Sequence, residues 1–218
     1  MKCYNQIPEK YLERIQNMKT YDLIKSVGAP DWHNIPSVDI DIPYLDTPDD
    51  IHAKAQIAYG EEAFYLHLST IEKNIRAEET GPLGTPCSDS CLEFFFSPME
   101  DDIRYFNIEF NLNGCVYLGF GSNVQNLVRL VPEDSIEDIF APKIAKTTDG
   151  WEIFYTVPYS FIKRFFPDFK VYEGKEMRAN FYKCADFSEP PHYLSWSSVA
   201  GEPFTFHKPH CFGTLIFK

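Results

Sequence analysis

Positive charge is scarce in this chain. It carries 20 Lys and Arg against 32 Asp and Glu among 218 residues, a formal net charge of −12. Phosphate recognition needs clustered Lys and Arg, so this balance argues against nucleic acid as a partner and equally against an anionic membrane surface. Long apolar runs are missing as well: none approaches the ~18 residues of a membrane span. The opening residues, MKCYNQIPEKYLERIQ, lack the apolar core of a secretory signal. As written, the chain is expected in the cytoplasm, or in the periplasm or outside the cell if a leader has been removed. Internal repeats, low-complexity tracts and domain-separating linkers are also absent. No second zinc-like cysteine pair exists: Cys87 and Cys91 form a C-x3-C pair, but His207, His210 and Cys211 lie far downstream. The six cysteines are even in number, yet the missing signal favours reduced thiols over disulfides. They are expected to be structural and mostly buried.

Aromatic residues, by contrast, are plentiful: 19 Phe, 13 Tyr and 3 Trp. Such a composition suits strands, and sugar- or peptide-binding faces, better than a helical bundle. Residues 8–19 (PEKYLERIQNMK) have Pro near the first helical position and apolar residues at Leu12, Ile15 and Met18, which predicts a short amphipathic helix. Residues 1–29 are read as a helical lead-in and 30–218 as one β domain. VDIDI (38–42) alternates as a half-buried strand does. HAKAQIAY and AFYLHLSTI flank Gly60-Glu61-Glu62, a hairpin signature. After a polar excursion over 76–90 come CLEFFFS, IRYFNIEFNL, CVYLGFG and NLVRLV. KIAKTTDGWEIFYTVP reads as two strands across Asp149-Gly150, SFIKRFF as a helical turn, and MRANFYKC and GTLIF as the last strands. About ten strands with little helix predict an all-β, antiparallel sandwich of jelly-roll or immunoglobulin-like kind.

Period-two alternation sorts the side chains by face. Phe106, Ile108 and Phe110 share a core face, opposite Tyr105, Asn107, Glu109 and Asn111. Arg178, Asn180 and Tyr182 share another face, and Glu93 points away from Leu92 and Phe94. Any sandwich has one wet face. Here, however, Asn, Tyr and Arg replace the Lys and Thr of an ordinary one, and these are the planar donors and acceptors that vicinal hydroxyls require. The stretch from Met177 to Lys218 adds Tyr193, Trp196, Phe204 and Phe206 with His192, His207 and His210 in a proline-broken loop. Loops on a rigid sheet commonly carry binding groups.

SDSCLEFFFSP, IRYFNIEFNLNG, DGWEIFYTVPYSFI and ANFYKCADFSEPPHYLSWSS…FHKPHCFGTLIF together resemble, in order, the motifs of family 9 carbohydrate-binding modules, most of all the stand-alone bacterial branch, over roughly residues 30 to 218. The resemblance implies a β-sandwich that clamps a sugar between rings and holds its hydroxyls with strand side chains. Carried over, the carboxylate ligand falls on Glu93, polar positions on Asn107 and Tyr182, and a clamp ring on Phe206 beside His207. The sequence departs from the family pattern in two ways. The second clamp Trp falls near Cys87, where no ring stands, so that Trp196 or Tyr193 would have to substitute. The family's arginine position is Asn107.

The expectation is a non-catalytic carbohydrate-binding protein using Glu93, Asn107, Arg178, Tyr182, Trp196, Phe206 and His207. It requires no cofactor, although DTPDD (46–50) and MEDD (99–102) could supply oxygen ligands to a structural calcium ion. Two alternatives stay open: a glycoside-processing enzyme using Glu93 and Glu109 as paired carboxylates, and a scaffold docking a protein on the aromatic loop. A nucleophilic Cys184 with His192 or His207 lacks an orienting partner in the local sequence.

Overall fold

In the computed structural model, residues 18–218 are described, apart from positions 46 and 133. The helix expected over 8–19 lies outside the described residues but for its last two positions, which are not helical. The hairpin expected at Gly60-Glu61-Glu62 joins β4 (His52–Tyr59) to β5 (Ala63–Ile71) with Tyr59 opposite Phe64. β11 (Gly150–Pro158) runs along the other edge of β5, and β10 (Lys143–Lys146) pairs with β11. The short β2 (Val38–Ile40) lies on β4. These strands make one layer.

The second layer is built on β12 (Glu176–Ala185). Its neighbour β6 (Cys91–Ser97) pairs with β7 (Tyr105–Asn111), then β8 (Val116–Gly121) and β9 (Val128–Arg129) follow, all antiparallel. The far edge of β12 is divided. β14 (Gly213–Phe217) lies beside its first half, and β13 (His192–Ser195), itself paired with β3 (Ile42–Pro43), beside its second.

The two layers are joined by a strand that falls within the stretch read as a helical lead-in (1–29) and corrects that reading over Thr20–Lys25. β1 (Thr20–Lys25) aligns Thr20–Leu23 with β14 and Ile24–Lys25 with β4, so it belongs to both sheets. Both of its ladders are parallel, which corrects the expectation of a purely antiparallel sandwich. Parallel partners need a long connection, and β14 lies at the opposite end of the chain, so local alternation carries no hint of the pairing. The sheet is therefore curled and mixed, and the molecule mostly β, with two short helices, α1 (Ile136–Phe140) and α2 (Tyr159–Lys163), among the described residues.

Between the layers lies the main core. Leu92, Phe94, Phe96, Phe106, Ile108, Phe110 and Phe181 from the second layer meet Phe64, Leu66, Leu68, Trp151, Ile153 and Val157 from the first, all wholly buried. The core face read from alternation in β6 and β7 is the observed one. Beneath Trp151 a polar group closes the inter-sheet space. The Trp151 indole N–H donates to Ser90 Oγ (2.7 Å) and to Glu72 Oε1 (3.3 Å), and Glu72 lies 3.3 Å from Lys183 and 3.5 Å from His192. Burial would raise the Glu72 carboxyl, but His192, Lys183 and Ser90 outweigh it and hold its pKa down to about 2.

Candidate ligand-binding face

The outer face of the second layer is not solvated. Cys91, Phe95, Tyr105, Tyr182, Cys184, Val199, Phe206 and Phe212 form a second apolar cluster, with Cys87, Leu127 and Tyr193 packed against it. The cover is the loop over 197–212. Asn180 pins it by accepting from Ser197 N (2.8 Å) and donating to Ser197 O (2.8 Å). Tyr182 donates its hydroxyl to Phe206 O (3.2 Å) and stacks on the Phe206 ring at 4.1 Å. Lys208 folds back inside the loop, donating to the carbonyls of Ala200 (3.2 Å) and Gly201. His207 bonds the Tyr105 hydroxyl (2.8 Å), and burial lowers its pKa to about 4, leaving it neutral near pH 7.

Beneath this cover the polar floor is continuous. Across β12, β6 and β7, Tyr182 stands opposite Glu93 and Glu93 opposite Glu109. The side chains of Glu93 and Glu109 are almost wholly buried. Burial raises the Glu93 carboxyl to about 7, partly offset by the Cys184 thiol, which donates to Glu93 Oε1 at 2.7 Å. Glu109 is pushed well above the carboxylate range by burial and by Glu93, although Asn107 Nδ2 donates to its Oε1 at 2.6 Å. The other end of that amide, Asn107 Oδ1, is buried and has no hydrogen-bond partner among the described residues. Room for it exists only because β8 carries glycine opposite: a Cβ on Gly119 would stand 1.8 Å from Asn107 Oδ1.

Around this floor the side chains are half-exposed. Cys87, Tyr117, Arg129 and His207 rim the buried acids. The Arg129 guanidinium lies 4.7 Å over the Tyr117 ring and donates to the carbonyls of Pro82, Leu83, Gly84 and Val116. Asp89, wholly buried, fixes the approach to β6: it accepts from Glu78 N (2.9 Å), Glu79 N (2.7 Å) and Asn111 Nδ2 (2.8 Å), and from Arg76. That anchor sets where Glu93 stands, four residues on.

The family 9 carbohydrate-binding model matches residues 31–217. The chain belongs to carbohydrate-binding family 9. Three solved structures are similar to it, each covering 92% of this chain. A candidate carbohydrate-binding protein from Bacteroides uniformis ATCC 8492 is 29% identical over 100% of its own length, with a TM-score of 0.78. A family 9 module from Caldicellulosiruptor kristjanssonii, solved with cellotriose, is 14% identical over 94% of its length, with a TM-score of 0.68. The same organism's family 9 module solved with glucose is 14% identical over 96%, with a TM-score of 0.67. No match was found among curated proteins.

Within this family 9 sandwich, Glu93, Asn107, Tyr182, Phe206 and His207 come together on one face. Arg178 shares that face but is spent on the carbonyls of Gly213 (3.1 Å) and Phe212. Trp196 does not join them: it lies in the main core against Phe181, with ring centroids 5.7 Å apart. Nor do Cys184 and His192 form a nucleophile pair, since Cys184 faces Glu93 while His192 accepts from Lys183 at 2.8 Å. The acidic turns use Asp50 and Asp102 on Lys73 and Arg104. Tyr117 and Gly119 were not singled out from the sequence, though alternation along VYLGFG puts both on the face of Asn107 and Glu109.

Proposed function

We propose that this chain is a non-catalytic binding protein for a neutral mono- or oligosaccharide, and that the floor of β6, β7 and β8 is where hydroxyls are held. The observation that carries this is the unpartnered Asn107 Oδ1, buried beside Glu109 in the space that Gly119 leaves for it. A buried carbonyl oxygen without a donor costs about 1–3 kcal/mol, which a ligand hydroxyl would recover. Glu93 and Glu109 accept further hydroxyls, while Tyr117 and His207 at the rim supply flat surface for the C–H face of a pyranose. Family membership and the sugar complexes of the Caldicellulosiruptor modules support the same reading. Phe206 is assigned a different part from that expected of a clamp: stacked on Tyr182, it braces the loop that forms one wall.

Hydrolysis is the weaker reading. Glu93 and Glu109 are cross-strand neighbours on one wall, whereas glycosidases set two carboxylates to flank the bond they cut.

Isothermal titration with glucose, cello-oligosaccharides and a panel of neutral mono- and disaccharides tests the proposal. Saturable one-to-one binding is expected with at least one sugar, weakened roughly ten- to hundredfold in Asn107→Ala and in Glu93→Gln. Heats indistinguishable from dilution across the panel would overturn it.

A further inference from the structure

The deepest part of the same face holds a second chemistry. Cys91 and Glu93 are two residues apart on β6, so both side chains point to one side of the sheet, and Cys184 stands directly across from Cys91 on β12. Their ligand atoms, two sulfurs and a carboxylate oxygen, all lie within 4.8 Å of one another. Tetrahedral ligands about 2.3 Å from a zinc ion stand roughly 3.8 Å apart, so a small contraction closes the set. The cations whose charge reaches this face are committed elsewhere: Lys183 to Glu72 and His192, and Arg129 to four backbone carbonyls. Thiols and carboxylates gathered in a dry site are the donor set that selects a borderline-soft divalent ion over calcium or magnesium.

We propose that Cys91, Cys184 and Glu93 form a binding site for a thiophilic divalent cation of the zinc type. Binding is coordination without redox change. Each thiol releases its proton to solvent, both sulfurs and one Glu93 oxygen donate lone pairs to the ion, and the hydrogen bond from Cys184 to Glu93 is replaced by the shared metal. The proposal shares Glu93 with the sugar reading but does not depend on it, since that reading is carried by the unpartnered Asn107 Oδ1.

The full chain, reduced with a phosphine and freed of metal, is titrated with Co(II) and Zn(II). One ion per chain is expected, with a sulfur-to-cobalt charge-transfer band in the near ultraviolet and a zinc-dependent rise in Tm. Cys91→Ser and Cys184→Ser should each weaken binding at least tenfold and diminish the band. Cys115→Ser and Cys211→Ser, whose thiols lie outside the set, should leave both unchanged. Because a buried Cys→Ser change can perturb folding, zinc-edge absorption on the unmutated protein gives a separate reading. Two sulfur scatterers near ~2.3 Å with oxygen at roughly 2.0–2.2 Å are expected. A sulfur-free shell, no charge-transfer band, or a band unchanged in folded Cys91→Ser and Cys184→Ser proteins would overturn the proposal. Sugar titrations on the Cys115→Ser control distinguish its failure from failure of the sugar reading.

Discussion

Asn107 and Gly119 are one device made of two residues. The amide nitrogen is held by Glu109 and the oxygen is left free, while glycine across the strand pair leaves the space that the oxygen needs. Gly119→Ala is therefore expected to displace the Asn107 amide and to lower sugar affinity about as much as Asn107→Ala does. Titration of both variants against the parent checks this, and unchanged affinity in Gly119→Ala would remove Asn107 from the binding face. Glu72 presents a different case, a buried carboxylate set against Lys183 and His192. Its neutralisation in Glu72→Gln leaves Lys183 buried without its carboxylate. Breaking a buried pair from one side typically costs about 3–5 kcal/mol, and urea unfolding near pH 7 should read a loss of that order.

At the scale of elements, β1 and the loop over 197–212 do the connecting. β1 contributes Leu23, wholly buried, and Tyr21, whose hydroxyl donates to Pro36 O (2.5 Å) and accepts from Ile57 N (3.3 Å). Leu23→Ala should therefore destabilise by about 2–5 kcal/mol, measured by denaturant unfolding, because it opens a cavity where the two layers share one strand. The loop is held by apolar contact of Val199, Phe206 and Phe212 and also by Lys208, buried and bonded to two carbonyls within the loop. Lys208→Met should leave the sheet intact while raising amide hydrogen exchange over 198–207. Unchanged exchange there would show that Asn180 and Tyr182 suffice to hold the cover.

For the whole molecule, charge and pH are linked through the buried acids. Glu72 has a folded pKa depressed from 4.5 to about 2. In the window between those values the unfolded chain binds the extra proton, so stability falls as pH falls. The stability gap between the parent and Glu72→Gln should thus narrow between about pH 4.5 and pH 2, as thermal melts across that range would read. His207, lowered to about 4, acts in the same direction between its ordinary 6.5 and 4. Glu93, raised to about 7, opposes it, because the folded form then holds the proton and stability declines as pH rises from 4.5 toward 7. Comparison of parent with variant isolates the Glu72 contribution from these two.

Most strands were legible because each is a local pattern. Alternation in β6 and β7 separated Phe94, Phe106 and Phe110 from Glu93, Asn107 and Glu109, and Gly60-Glu61-Glu62 marked the β4–β5 hairpin. The family motifs around Glu93 and Phe206 marked residues that the structure brings to one face of the second layer. Alternation tells which side of a strand a residue takes, but not what lies over that side. A sequence pattern therefore could not show that the polar face is roofed by 197–212, that Tyr182 is spent on holding Phe206, or that Trp196 belongs to the other core. β1 escaped notice because its partners are the last strand and β4, and parallel ladders leave no turn between them to read.

By itself, then, the sequence determined the β class, the faces of the strands and the acidic, aromatic character of the chain, all of which follow from nearest-neighbour periodicity. Only the tertiary structure decided which residues come together. Cys184 meets Cys91 and Glu93, and Asn107 meets Gly119, through strand register set by chain closure and core packing, to which residues far apart contribute together.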